Sequence, residues 1–366
     1  MREVRVAGFG EIMLRLSPKG HLRLSQALPG ELRATFGGGE ANVCVSIARF
    51  GLSSRFLSAV PCNPIGDALV TELRGLGVDT TKLLRTPSGR LGIYYAETGA
   101  NQRGGSVVYD RAYSAIALAD PADYDFDAML DGVTWLHLTG ITPAISEKAY
   151  FATLAIAKHA SSLGISISCD LNFRNKLWNW MPGVSQQELA SRCMAEIVSF
   201  VDVIVGNEED AAKVFAISAS GTSVEAGKLN VEAYEEVAKA LSERFPKAQH
   251  IAFTLRESLS ASHNNWGAML YDVASSKAHF APLDNEDRYA PYEIRDIVDR
   301  IGGGDSFSAG LITAFNSAAY ADPASALAFA VAASCLKHSI CGDYNHCAIE
   351  EVVSLMKGNA AGRVKR

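Results

Sequence analysis

Three absences narrow the field before any motif is read: no Cys-x-x-Cys pair, no Gly-Lys-Ser/Thr phosphate loop, and no apolar run of membrane-spanning length. The seven cysteines, Cys44, Cys62, Cys169, Cys193, Cys335, Cys341 and Cys347, are odd in number and scattered. They predict isolated reduced thiols rather than a zinc site or a disulfide framework, and the short cluster from Cys341 to His346 and Cys347 is read the same way. Gly8-Phe-Gly10-Glu-Ile-Met13 begins like a dinucleotide fingerprint and lacks its third glycine. The eight histidines show no ligand spacing; His137 reads as a strand residue and His338 as the end of a helix. No signal-peptide architecture opens the chain, so the expected compartment is the reducing cytoplasm, with no membrane partner. A net charge of −6 leaves no concentrated basic face, which argues against nucleic acid as a partner. It leaves room for an anionic small molecule held by a few placed arginines.

What is present suits a globular enzyme: 48% hydrophobic and 20% charged residues over 366 positions, enough for one large α/β domain with a small appendage. Val4 to Leu16 reads as a strand interrupted near Gly8 and Gly10. Gly37-Gly38-Gly39 opens a helix from about Glu40 to Phe50, stopped by Gly51. From Arg90 to Tyr113 the pattern becomes two short strands around a Gly-rich turn at 99–105, a sheet that leaves the main body. Strands and helices then alternate: strand 135–139, helix 147–163, strand 165–170, helix 186–198, strand 201–205 and helix 208–215. A loop at 218–230, a helix at 231–245 and a strand at 250–255 follow. Such alternation predicts a doubly wound, mostly parallel sheet with helices on both faces. Its ligands are expected at the carboxyl ends of the strands, where Asp170-Leu-Asn172-Phe-Arg174, Gly206-Asn207-Glu208 and Thr254-Leu-Arg256 lie. The basic tail Arg363 to Arg366 is expected to be solvated.

The strongest local signal is Asp299-Arg300-Ile301-Gly302-Gly303-Gly304-Asp305-Ser306 ahead of an apolar-periodic helix. Three glycines bring backbone N–H groups without obstruction to a helix N-terminus, which carries unpaired donors and partial positive charge. Asp305 in the first turn is placed to take a proton from an attacking hydroxyl. On its own, the same string is an Asp after a flexible turn.

In its wider setting, Asp299 to Ile312 resembles the C-terminal signature of the PfkB (ribokinase-like) carbohydrate kinases. The segment Phe36-Gly37-Gly38-Gly39-Glu40-Ala41-Asn42, with Gly51 downstream, is similar to that family's N-terminal sugar-site signature. The resemblance runs from Val4 to about Met356. It implies a single ribokinase-like α/β kinase domain over 1–366, with a small β-sheet lid from segments at about 14–34 and 90–113. Asp305 would be the catalytic base, Gly302, Gly303 and Gly304 the anion hole, and Gly38, Gly39 and Asn42 sugar contacts. Arg300 departs from the pattern, standing where the family has a small or branched residue. Cys44 and Pro61 depart as well.

The segments around Tyr94, Tyr109-Asp-Arg111, Asp170 to Trp178 and Lys337 to Asn345 look like those of 2-keto-3-deoxygluconate kinases. That likeness implies that Tyr94, Tyr109, Arg111 and Arg174 hold a sugar acid and that Asp343 binds a hydroxyl. Guanidinium groups suit a carboxylate, and phenols add directional hydrogen bonds. Two readings stay open for each tyrosine, site or strand core, and for Arg174, carboxylate or phosphates. The implied cosubstrate is ATP with Mg2+, contacted by Asn172, Asn207, Thr254 and Arg256. Asp210, where the family's Asn-x-x-Glu element has glutamate, is the implied metal residue. Thr254 to Trp266 lacks the usual nucleotide-loop glycines, so adenine contacts are not assigned, and Arg256 also fits a solvated loop.

The expected reaction is phosphorylation of the 6-hydroxyl of 2-keto-3-deoxygluconate. The alternatives are a kinase for a neutral sugar such as fructose, and a silent sugar-binding regulator on the same fold. An exposed lid sheet is expected to pair with a second copy, giving a homodimer.

Overall fold

The computed structural model describes residues 4–207, 209–218 and 231–358. Its strands begin with β1 (Arg5–Phe9), β2 (Met13–Ser17), β3 (Arg33–Gly37), β4 (Ser53–Leu57), β5 (Ala59–Pro61), β6 (Val78–Asp79) and β7 (Leu84–Thr86). They continue with β8 (Gly92–Glu97), β9 (Ser106–Asp110), β10 (Trp135–Thr139), β11 (Ser166–Asp170) and β12 (Val203–Asn207). The last are β13 (His250–Ser260), β14 (His263–Asp272), β15 (Lys277–Ala281) and β16 (Tyr292–Ile294).

A ten-stranded sheet in the order β15-β14-β13-β12-β11-β10-β1-β4-β6, with β16 also on β14, forms the body. It is parallel from β13 to β6 and antiparallel at β14, β15 and β16. Every residue of β10 is buried, as expected for a strand covered on both faces. On one side Leu136, Leu138 and Ile167 pack with the helices Glu147–Ser162 and Gln186–Val198. On the other, Val6, Trp135, Val203 and Val205 pack with the helices Gly39–Arg49, Gly303–Phe315 and Pro323–Lys337. Among the described residues no helix is long and apolar enough to cross a membrane.

A second sheet, β3-β2-β8-β9, shares no strand with the body. β2 pairs antiparallel with β3 and parallel with β8, which closes antiparallel with β9. This is the expected lid, and Met13, Tyr94 and Ala96 form its core with Val107, Tyr109 and Ile301.

Two expectations need correction. The segment from Val4 to Leu16 is not one interrupted strand: β1 belongs to the body and β2 to the lid, because the chain turns out of the main sheet around Gly10. Nor does the strand from His250 end at Leu255. β13 runs to Ser260 and turns back into β14 in register, Arg256 opposite Trp266 and Ser258 opposite Asn264. Main-chain pairing overrides a polar sequence that looks like a loop. The helix expected from position 208 starts at Asp210; Glu208, most of the expected loop at 218–230 and the basic tail lie outside the described residues.

Candidate active site

Between lid and body lies a cavity of about 430 Å³, and every site residue expected from the sequence lines it. Gly38, Gly39 and Asn42 open the helix Gly39–Arg49. A Cβ on Gly38 would collide with the Glu11 carbonyl, so the close crossing of these two segments needs glycine. Asn172, at φ 39, and Arg174 follow β11; Asn207 ends β12 and Thr254 and Arg256 lie on β13.

Gly302 supplies the left-handed N-cap of the helix Gly303–Phe315, with φ 85, and a Cβ there would strike the Asp343 carbonyl. Ser306 N–H donates the first intrahelical bond, to Gly302 O at 2.9 Å. The amides of Gly303, Gly304 and Asp305 precede it without an intrahelical acceptor, an arrangement able to cradle an anion. Asp305 projects from this turn, and Asn42 Nδ2 donates to its Oδ2 at 2.6 Å. Burial pushes the Asp305 carboxyl up to about 6, against the lowering effect of the Asn42 hydrogen bond. A carboxylate so tuned is a competent base near neutral pH.

Below the cradle, Glu40 accepts from Thr139 Oγ1 at 2.7 Å and Thr142 Oγ1 at 2.9 Å, and burial raises it to about 7. Asp170 is raised well above the carboxylate range by burial and by the nearby charges of Asp210 and Asp305. Asp210 spends its oxygens on the N–H groups of Phe173 and Asn207, each at 3.0 Å. Asn207 Oδ1 in turn accepts from the amides of Glu209 and Asp210. Both residues therefore shape the turn after β12. Among the described residues no group of three or more His, Cys, Asp or Glu side chains could hold a metal.

At the lid end Tyr94 donates to Asp343 Oδ2 at 2.6 Å. Arg111 is paired with Glu11 and lies 5.3 Å from the centroid of the Tyr109 ring. The Arg174 guanidinium is exposed and makes no side-chain hydrogen bond or ion pair among the described residues; its charge favours the ionised forms of Asp170, Asp210 and Asp305, and its carbonyl accepts from Leu177 N–H at 3.0 Å.

Several charged groups escaped the sequence reading. Arg15, 4% exposed, bridges Asp299 at 2.7 Å and Asp343 at 2.9 Å. Burial works against its charge, but the two aspartates outweigh that and hold its pKa up. Its one legible signal is phase: Arg15 shares the inward face of β2 with Met13. Lys337 is fully buried behind Gly302 and donates to Ile340 O at 3.1 Å. Its charge favours the ionised form of Asp305. His137 is a satisfied strand residue on Ser168, and His338 caps its helix. The cysteines are all free.

A parallel sheet with its cavity at the strand ends, a separate lid and an aspartate beside a glycine cradle define a ribokinase-like carbohydrate kinase. Residues 4–346 match the pfkB family carbohydrate kinase, and the chain belongs to that family, phosphotransferases with an alcohol group as acceptor. It is 30% identical to the 2-dehydro-3-deoxygalactonokinase of Haloferax volcanii, over 97% of each chain. The crystal structure of 2-dehydro-3-deoxygluconokinase from Thermotoga maritima superposes with a TM-score of 0.86 at 40% identity, covering 97% of this chain and 100% of that one. A fructokinase from Xylella fastidiosa with bound ATP shares the fold at 20% identity, with a TM-score of 0.72 over 97% of this chain and 99% of that one.

Proposed function

We propose that this kinase transfers the γ-phosphoryl group of ATP to the 6-hydroxyl of 2-keto-3-deoxygluconate. The observation that carries the reading is Asp305, held by Asn42 beside three open amides and within one cavity with Arg111 and Arg174. The hydroxyl oxygen attacks the γ-phosphorus in line, its proton passes to Asp305, and the bond to the β-phosphate breaks to release ADP. The amides of Gly303 to Asp305 stabilise the charge on the equatorial oxygens, a role in which positioning and electrostatics dominate. Lid residues exclude water from the transfer.

A magnesium ion fits the acidic floor of the cavity, where Asp170 and Asp210 repel one another. These two carboxylates, the second through its remaining lone pairs, would hold it together with the phosphates, and it would neutralise charge on them. Asn172, Asn207, Thr254 and Arg256 would line the nucleotide's path. Arg174, whose guanidinium makes no internal hydrogen bond or ion pair, would take the sugar carboxylate, with Arg111, Tyr94, Tyr109 and Asp343 reading the rest of the sugar. The Glu11 carboxylate against Arg111 favours a second reading, a neutral ketose, since it offsets the cation that would face a sugar carboxylate there.

A coupled ATP-consumption assay over 2-keto-3-deoxygluconate, its galacto epimer, fructose and nucleosides separates these. Preference for an acid sugar supports the reading, and preference for fructose or a nucleoside ends it. Arg111→Ala should chiefly raise KM for the acid sugar; an unchanged KM removes Arg111 from the site.

A further inference from the structure

The three residues that lead into the cradle each make a contact in the direction of the lid. Asp299 holds Arg15 of β2 and accepts the Gly342 amide at 3.0 Å. Ile301 packs into the lid core. Arg300 between them turns to the β13–β14 hairpin. Its Nε donates to the Ala261 carbonyl at 2.8 Å, a second nitrogen donates to the Ser260 carbonyl, and a third reaches Ser258 Oγ at 3.4 Å.

The hairpin tip is also what the lid tip touches. Ala261 N–H donates to Asn101 O at 2.6 Å, and Asn101 N–H to Ser262 Oγ at 3.4 Å. A side chain on Gly99 would press on Ala261, its Cβ only 2.8 Å from that of Ala261. From the lid tip to the left-handed cap at Gly302 the chain of contacts is therefore Asn101, Ala261, Arg300, and then two residues of backbone. A planar guanidinium can grip two adjacent carbonyls at once, which a small or branched residue at this position could not.

We infer that Arg300 is a positioning residue for phosphoryl transfer, making the geometry of the Gly302–Asp305 cradle depend on contact between the lid tip and the β13–β14 tip. When the lid lifts, the Asn101–Ala261 bond opens and the carbonyls that anchor Arg300 are released. The cradle amides then lose their fixed aim. Closure over the sugar and competence toward the nucleotide become one event, and ATP is spared while no sugar is bound. The inference rests on the kinase reading and adds to it the coupling between its two halves.

Arg300→Met and Arg300→Lys test it in the full chain, with ADP and sugar phosphate measured separately. A misaimed cradle should lower kcat by about 10–100-fold, the scale of a displacement of about 1 Å. Sugar KM should stay nearly constant, ADP and sugar phosphate should fall together, and lysine should restore part of the loss. Ala261→Pro removes the donor to Asn101 with Arg300 intact and should reproduce the defect, with the double variant no worse than the poorer single one. Hydrogen exchange without any substrate should rise together at 99–105 and 302–306 in Arg300→Met. Near-normal kcat or an excess of ADP over sugar phosphate in a folded Arg300→Met, multiplying effects in the double variant, or faster exchange at 258–262 alone would overturn the inference. Wild-type turnover on the sugar panel tests the kinase reading separately, and the exchange measurement does not depend on it.

Discussion

At the scale of single residues, the decisive quantity is the proton affinity of Asp305. As the proposed base, Asp305 would work only when ionised, so kcat should fall as pH drops through about 6 and level off above it. Asp305→Asn should cut kcat by about 10²–10⁴-fold, the usual worth of a positioned base, with little change in sugar KM. The same substitution should stabilise the fold. A carboxyl raised from 3.8 to about 6 on folding favours the native state when protonated, and that contribution is lost as pH rises through about 6. Melting temperature against pH should therefore show the asparagine variant above wild type at pH 8, and the two converging below pH 4. Asn42→Ala removes a hydrogen bond that favours the ionised form, so the acid limb of kcat should move to higher pH; an unmoved limb would detach Asn42 from the base. Asp305 and the glycines before it were legible because their chemistry lies in one contiguous string. Arg15, Lys337 and Glu11 were not, because a buried charge declares itself only through partners that the linear sequence keeps far apart.

At the scale of elements, a buried ion cluster is among the ties between lid and body. Arg15→Met would leave Asp299 and Asp343 buried without their ion-pair partner, with Lys337 as a nearby cation and the hydrogen bonds from Tyr94 and the Gly342 amide kept. Breaking a buried pair from one side costs about 3–5 kcal/mol, and urea unfolding should show a loss of that size. A loss under about 1 kcal/mol would mean that water replaces the guanidinium. Helices and parallel strands were readable, often to within a residue or two, because burial on one or both faces writes its period into the sequence. The β13–β14 hairpin was not. The first half of β13 is buried, while the second half is largely exposed and carries Glu257, Ser258 and Ser260, a composition shared by loops and by strands that face water on one side.

At the scale of the whole molecule, the outer edge of the lid is unfinished. β9 ends the small sheet, and Val108 on it is 53% exposed. An edge of this kind invites pairing with a second copy. Light scattering in solution is expected to give a dimer, and Val108→Asp to give a monomer with its melting temperature kept; a monomeric wild type would refute the pairing. The architecture followed from the alternation of strands and helices, but the division of labour between the two sheets did not, since β1 and β2 are neighbours in sequence and belong to different bodies.

The bond between Asn42 and Asp305 joins positions 263 residues apart. Neither half of the chain holds the cavity alone: until the helix Gly303–Phe315 has been made and packed on Gly39–Arg49, Asn42 lacks its Asp305 acceptor and the pocket has no floor on that side.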